Sequence, residues 1–229
     1  MEESDLLVRF FRAIGAEREA EMYFRLFKKT EPGRFAVLEV APDLSPLSLG
    51  ILSPQIAFLV EIDLIPIILH GPPPGGGEEE TEAWTETILS ALRIGDVEAE
   101  EVTADIEEGV LSKKVCRKIK GLARNKVVSV LAVADLAASR GAILRGLRPF
   151  KIVRLAEPGG LRSPRGEILE YLNLSADDGL FPNVAAEDLP FVLEVGPLLY
   201  ELGPRAGIQV ATPGNLLGEL FLVRGTGTY

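Results

Sequence analysis

Apolar residues along the chain fall into short blocks that switch between strand-like runs and helical spacing. Phe35 to Val40 and Ile65 to His70 are nearly continuous apolar runs, the pattern of parallel strands covered on both faces. Between them, Leu47 to Ile62 places Ile51, Ile56, Leu59, Val60 and Ile62 at helical intervals, completing a βαβ unit. The alternation continues with Val127 to Val133 as strand, Ala134 to Leu147 as helix, Lys151 to Leu155 as strand and Ile168 to Leu172 as a further short strand. Phe191 to Leu202 predicts a helix ended by Gly203-Pro204, Gly207 to Ala211 a strand, and Leu216 to Leu222 a helical turn before the loop Gly225-Thr226-Gly227-Thr228. The expected fold is α/β: a three-layer αβα sandwich with a mainly parallel sheet.

The amino-terminal part differs in pattern. Ser4 can cap a helix carrying Leu6, Leu7, Phe10, Phe11 and Ile14, which Gly15 interrupts. Glu17 to Lys29 then spaces Ala20, Tyr23, Phe24 and Phe27 three and four apart, an aromatic stripe suited to core or subunit packing. The reading is an amino-terminal helical interface segment over 1–30, preceding a domain over 31–229.

Charge adds one abrupt reversal. Glu78 to Glu108 holds twelve acidic residues and one basic residue, whereas Lys113 to Lys126 holds seven basic residues and no acidic ones. Val115, Ile119 and Leu122 share one face of the basic stretch, which predicts an amphipathic helix. A solvated face partnered by the preceding acidic helix is the structural reading; a local anion site is the alternative.

Composition narrows the chemistry. With 229 residues, 24 Lys+Arg against 34 Asp+Glu and a net charge of −10, the molecule repels nucleic acid and anionic membranes. One cysteine, Cys116, and one histidine, His70, leave no disulfide, zinc cluster or histidine-based triad to build, so no metal and no cofactor is expected. The glycine loop after Ile65 to His70 contains Pro72, Pro73 and Pro74, which lack the N–H groups of a phosphate cradle. An acidic start, Met1-Glu2-Glu3-Ser4-Asp5, without a long apolar run suggests a cytoplasmic protein. The mean hydropathy of +0.20 fits apolar surface reserved for a homo-oligomer, or equally buried parallel strands.

Three stretches together resemble the amino acid kinase family, in particular acetylglutamate kinase and the kinase-like domain of vertebrate-type N-acetylglutamate synthase. The first is Glu19 to Phe27, then Phe35 to Val40, Ala57-Phe58-Leu59 and His70-Gly71. The second is Ala134-Asp135-Leu136-Ala137-Ala138, Leu147 to Val153, Gly159-Gly160-Leu161 and Tyr171 to Ser175; the third is Glu219-Leu220-Phe221 with Gly225 to Thr228.

The resemblance implies a phosphotransferase site, and this sequence departs from it. Glu39-Val40-Ala41-Pro42 stands where the family carries Lys-x-Gly-Gly, Phe191 stands at its second lysine, and Leu131 and Val133 replace an asparagine pair. Of the catalytic set only Asp135 remains, as a remnant. Phosphoryl transfer depends on cations around the phosphates, and one lost donor typically costs ~10²–10³ in rate. The 63 residues between Gly71 and Asp135 are also few for the family's substrate-covering hairpin.

A second family site is retained. Where arginine-inhibited members hold arginine, the matching residues are Tyr23, Phe24, Phe27, Lys151, Glu219, Gly225, Thr226, Gly227 and Thr228. Glu219 suits a guanidinium, Lys151 a ligand carboxylate and Tyr23 stacking on a planar cation; Glu219 and Lys151 could equally form a structural ion pair. The expectation is a non-catalytic, L-arginine-binding regulatory subunit of arginine biosynthesis, with a separate acetyltransferase as a candidate partner. The alternatives are an active kinase using ATP and Mg²⁺ with Lys113, Lys114 or Arg124 as displaced cations, and a purely structural oligomerisation module.

Overall fold

The central strands are formed by the apolar blocks, which bury both of their faces. In the computed structural model β1 (Ala36–Val40), β2 (Ile67–His70), β3 (Ala99–Thr103), β6 (Val128–Ala132), β7 (Lys151–Leu155) and β8 (Gln209–Ala211) make one parallel sheet in the order β3-β6-β2-β1-β7-β8. A hairpin of β4 (Ile106–Glu107) and β5 (Val110–Leu111) stands apart from it. The structure describes residues 17–73, 75–157, 159–172, 181–203, 206–222, 227 and 228. The helix expected after Ser4 lies outside them.

Strand alternation sorts the core into two layers. Leu38, Val40, Ile68, Val130 and Val153 face α1 (Glu17–Phe27), α2 (Pro46–Glu61), α3 (Glu78–Ile94) and α7 (Leu216–Phe221). Val37, Ile67, Leu69, Leu131 and Ile152 face α4 (Lys113–Arg124), α5 (Leu136–Leu147) and α6 (Leu189–Leu202). The three-layer αβα architecture expected from the sequence is therefore present.

Local chemistry fixes the helix starts. Ser45 caps α2 by accepting from the Ser48 N–H at 3.1 Å, with Pro46 at the first helical position. The Asp135 carboxylate caps α5, accepting from the Ala138 N–H at 3.0 Å. Phe27 is buried among Tyr23, Phe35, Phe150 and Phe221, with ring centroids 4.9–5.7 Å apart, which fastens α1 to the start of the sheet.

The structure departs from the sequence reading in three places. β3 is an edge strand with only Val102 buried, so its sequence Ala-Glu-Glu-Val-Thr carries no apolar run. Ile168 to Leu172 is not a strand; Ile168 makes a single bridge to Arg162. The basic helix α4 draws its acidic partners not from α3 but from β3 and two loops: Lys118 pairs with Glu100 at 2.8 Å and Lys120 with Glu31 at 2.9 Å, while Lys126 beyond its end pairs with Asp63 at 2.6 Å. The β4–β5 turn is tight because Glu108 and Gly109 both adopt positive φ, 51° and 74°.

Since Asp135 acts as the α5 cap, Asp135→Ala is expected to lower stability by about 1 kcal/mol, read as a shifted urea midpoint with unchanged slope.

Candidate functional site

Two polar constellations lie at opposite ends and on opposite faces of the β1–β7 pair. The first surrounds Glu39. Its position in β1 turns it toward the α5–α6 layer, and its side chain is only 2% exposed. An isolated carboxylate there would be prohibitively desolvated, and two arginines compensate it. Arg140 of α5 donates from Nε at 2.7 Å and from Nη2 at 3.0 Å in a bidentate fork. Arg154, in register with Glu39 on β7, donates to Glu39 Oε1 from the other side.

The network closes on α6. Arg140 also pairs with Glu194, and Phe191 lies under both guanidiniums, with the Arg154 and Arg140 carbons 4.4 and 5.4 Å from its ring centroid. Thus Glu39 and Phe191, the two positions that the resemblance assigns to phosphate-facing lysines, meet in one charge-balanced cluster, buried at Glu39 and Arg140 and partly exposed at Arg154 and Glu194. Nearby, Glu157 accepts from the Ser45 and Ser48 hydroxyls at the start of α2. The Glu157 carboxylate thereby engages both hydroxyls just beyond the carboxyl end of β7.

His70, at the end of β2, is fully buried with Nε2 3.1 Å from the Thr85 hydroxyl, and burial pushes its pKa down. Asp135 is exposed and engaged as a cap, so the described structure gives it a structural task. Among the described residues no group of three His, Cys, Asp or Glu side chains could hold a metal, and no helix is long and apolar enough to cross a membrane.

The second constellation is built where β7 begins. Lys151 Nζ lies 4.9 Å from the Tyr23 ring centroid and donates to Gln209 Oε1 at 3.4 Å. Burial holds the Lys151 pKa below the ordinary 10.5, opposed by the negative charges of Glu219 and Glu19. Glu219, on α7 and 1% exposed, accepts from the Gly227 N–H at 2.9 Å. A Cβ on Gly227 would stand 1.9 Å from the Val210 carbonyl oxygen, so this close approach requires glycine.

The structure thus brings Tyr23, Lys151, Glu219 and Gly227 together. It places the others differently. Phe27 packs in the aromatic core; Phe24 is half-buried and carries Lys28 over its ring at 5.4 Å. The Thr228 hydroxyl accepts from the Leu161 N–H at 2.8 Å and donates to the Leu169 carbonyl at 2.5 Å, tying down that loop. Gly225 and Thr226 lie outside the described residues.

Sequence reasoning missed Gln209, Arg140, Arg154 and Glu194. A charge inside an apolar strand block demands a partner, so Glu39 in Ala-Val-Leu-Glu-Val and Arg154 in Lys-Ile-Val-Arg-Leu were the readable signal.

This arrangement can be set beside known proteins. The chain is 24% identical over 270 aligned positions to an acetylglutamate kinase of Xylella fastidiosa, covering 94% of this chain and 64% of the kinase. It is 24% identical to human mitochondrial N-acetylglutamate synthase, covering 85% of this chain and 43% of that protein. Its homologues are acetylglutamate kinases and the kinase-like domain of N-acetylglutamate synthases. No family model matches the chain.

In fold, this acetylglutamate kinase-like chain is similar to a Neisseria gonorrhoeae N-acetylglutamate synthase solved with coenzyme A and L-arginine: TM-score 0.71, 18% identity, 92% of this chain and 63% of that one. It spans less than two-thirds of the length of each of these proteins.

Two measurements check the geometry. Arg140→Met should destabilise by about 3–5 kcal/mol in urea because it strands buried Glu39, whereas the Glu39→Gln/Arg140→Met pair should cost clearly less than the sum of the single changes. For Lys151 the folded pKa lies below the unfolded value, so the native state releases its proton first as pH rises. Wild type should therefore gain stability relative to Lys151→Met as pH approaches 10.5, a slope checked by thermal melts across alkaline pH.

Proposed function

We propose that this chain is a non-catalytic, acetylglutamate kinase-like regulatory subunit of arginine biosynthesis, cytoplasmic, which binds L-arginine beside Lys151. The Glu39–Arg140–Arg154 cluster is the observation that carries the non-catalytic half. Phosphoryl transfer needs cations and amide donors free to follow charge onto the transferred group. Here Glu39 already engages Arg140 and Arg154, Arg140 pairs with Glu194 as well, and Phe191 fills the space beneath both guanidiniums. An incoming phosphate would have to displace a buried carboxylate.

The arginine half rests on opposite charges grouped beside an aromatic face. Glu219 supplies an acceptor for a guanidinium, Lys151 a cation for the α-carboxylate, and Tyr23 a ring against which a planar cation stacks. Gly227 brings its own backbone N–H against Glu219. Arginine named as a ligand of the similar synthase is consistent with this reading. In it, α1 and the segment before it join copies of the chain, and a separate acetyltransferase is the protein partner.

A second reading, an ATP- and Mg²⁺-dependent acetylglutamate kinase, is favoured by the kinase homologues and must work with Arg154 as its partly exposed cation. Titration calorimetry should give saturable L-arginine binding, weakened about tenfold or more by Glu219→Gln or Lys151→Met in protein shown folded by circular dichroism. Absence of heat at millimolar arginine would sink the sensor. In a coupled assay with acetylglutamate no ADP should appear; turnover abolished by Arg154→Ala would establish the kinase instead.

A further inference from the structure

A cavity of about 1030 Å³ opens at the amino-terminal end of the sheet, where the loop after α1, the end of α5 and the start of β7 converge. Its sign is opposite to that of the molecule. Lys29, Arg34, Arg145, Arg148 and Lys151 line it, against Glu31 and Glu201. Both acids are already committed: Glu31 to Lys120 at 2.9 Å and Glu201 to Arg145 at 2.8 Å. In a chain of net charge −10, the lining retains an excess of cations.

The rim is also held in place. Arg34 donates from Nε at 3.2 Å and Nη2 at 3.1 Å to the Arg148 carbonyl, locking the loop after α1 to the end of α5. Arg148 sits in the left-handed region, φ 47° and ψ 59°, as the C-cap of α5. Lys29 and Arg148 form no ion pair with any described residue. Glu31 reports the local field: Lys120 first, then Arg34 and Arg124, hold its carboxyl below the usual range.

We infer that Lys29, Arg34 and Arg148 form an oxyanion site at the rim of this cavity, for a small ligand carrying two or more negative charges. The Arg148 guanidinium, the remaining Arg34 N–H groups and the Lys29 ammonium suit phosphate or carboxylate oxygens, and exposed Phe150, which lines the same cavity, offers an apolar wall for the rest of such a ligand. The concave shape selects a small molecule over a polyanion surface, which the overall charge repels. The site does not depend on arginine binding at the inner end, where Tyr23, Lys151 and Gln209 line the cavity.

Calorimetric titration of the full chain at low ionic strength, without arginine, tests this with two probes, inorganic pyrophosphate and citrate. At least one should bind saturably at one site, and the tighter of the two identifies phosphate or carboxylate as the preferred oxyanion. Lys29→Gln/Arg148→Asn, in which asparagine tolerates the left-handed backbone, should weaken binding about tenfold or more. Arg117→Gln/Arg165→Gln, removing the same charge from exposed positions outside the cavity, should leave it within about twofold. No saturable binding of either probe to folded protein, no weakening in the rim variant, or equal weakening in both variants would overturn the assignment.

Discussion

A carboxylate in the middle of a sheet cannot stay charged alone, and Glu39 on β1 imposes that condition on everything around it. It needs Arg140 from α5 and Arg154 from β7; Arg140 in turn engages Glu194, and Phe191 covers both guanidiniums. Three elements on one face are thereby registered against a single side chain. Changing Glu39 is thus a coordinated change, because the two arginines that neutralise it would be left without their shared carboxylate.

The sheet keeps the two constellations from interfering. Lys151 and Arg154 are three residues apart on the same strand, so alternation sends one side chain to the α1–α7 layer and the other to the α5–α6 layer. Cations committed to Glu39 are therefore not available at the β7 start, and Lys151 is left with Glu219, Gln209 and Tyr23. The two constellations can therefore vary independently, because strand geometry insulates them.

What the sequence made legible was whatever packing writes into hydrophobic pattern. β1, β2, β6, β7 and the helices between them were readable from apolar blocks, since each is buried on a predictable face. β3 was not, because an edge strand with one buried residue has no such pattern. At the site, Tyr23, Lys151, Glu219 and Gly227 came from a resemblance, and the structure places them near one another. Phe27 and Thr228 share the neighbourhood but serve the core and a loop, a distinction of side-chain direction that no linear spacing encodes. Gln209 was invisible because a neutral amide at a strand start announces nothing until its partner is known.

The two sheet edges carry a consequence for assembly. On one side β3 presents Glu100 and Glu101, like charges that discourage strand addition; on the other, Val210 of β8 already exchanges both backbone hydrogen bonds with Thr228, at 2.8 and 3.0 Å. A neighbouring copy that tried to continue the sheet would meet electrostatic repulsion at one margin and spent donors at the other. Growth by strand annexation into fibres is opposed at both margins.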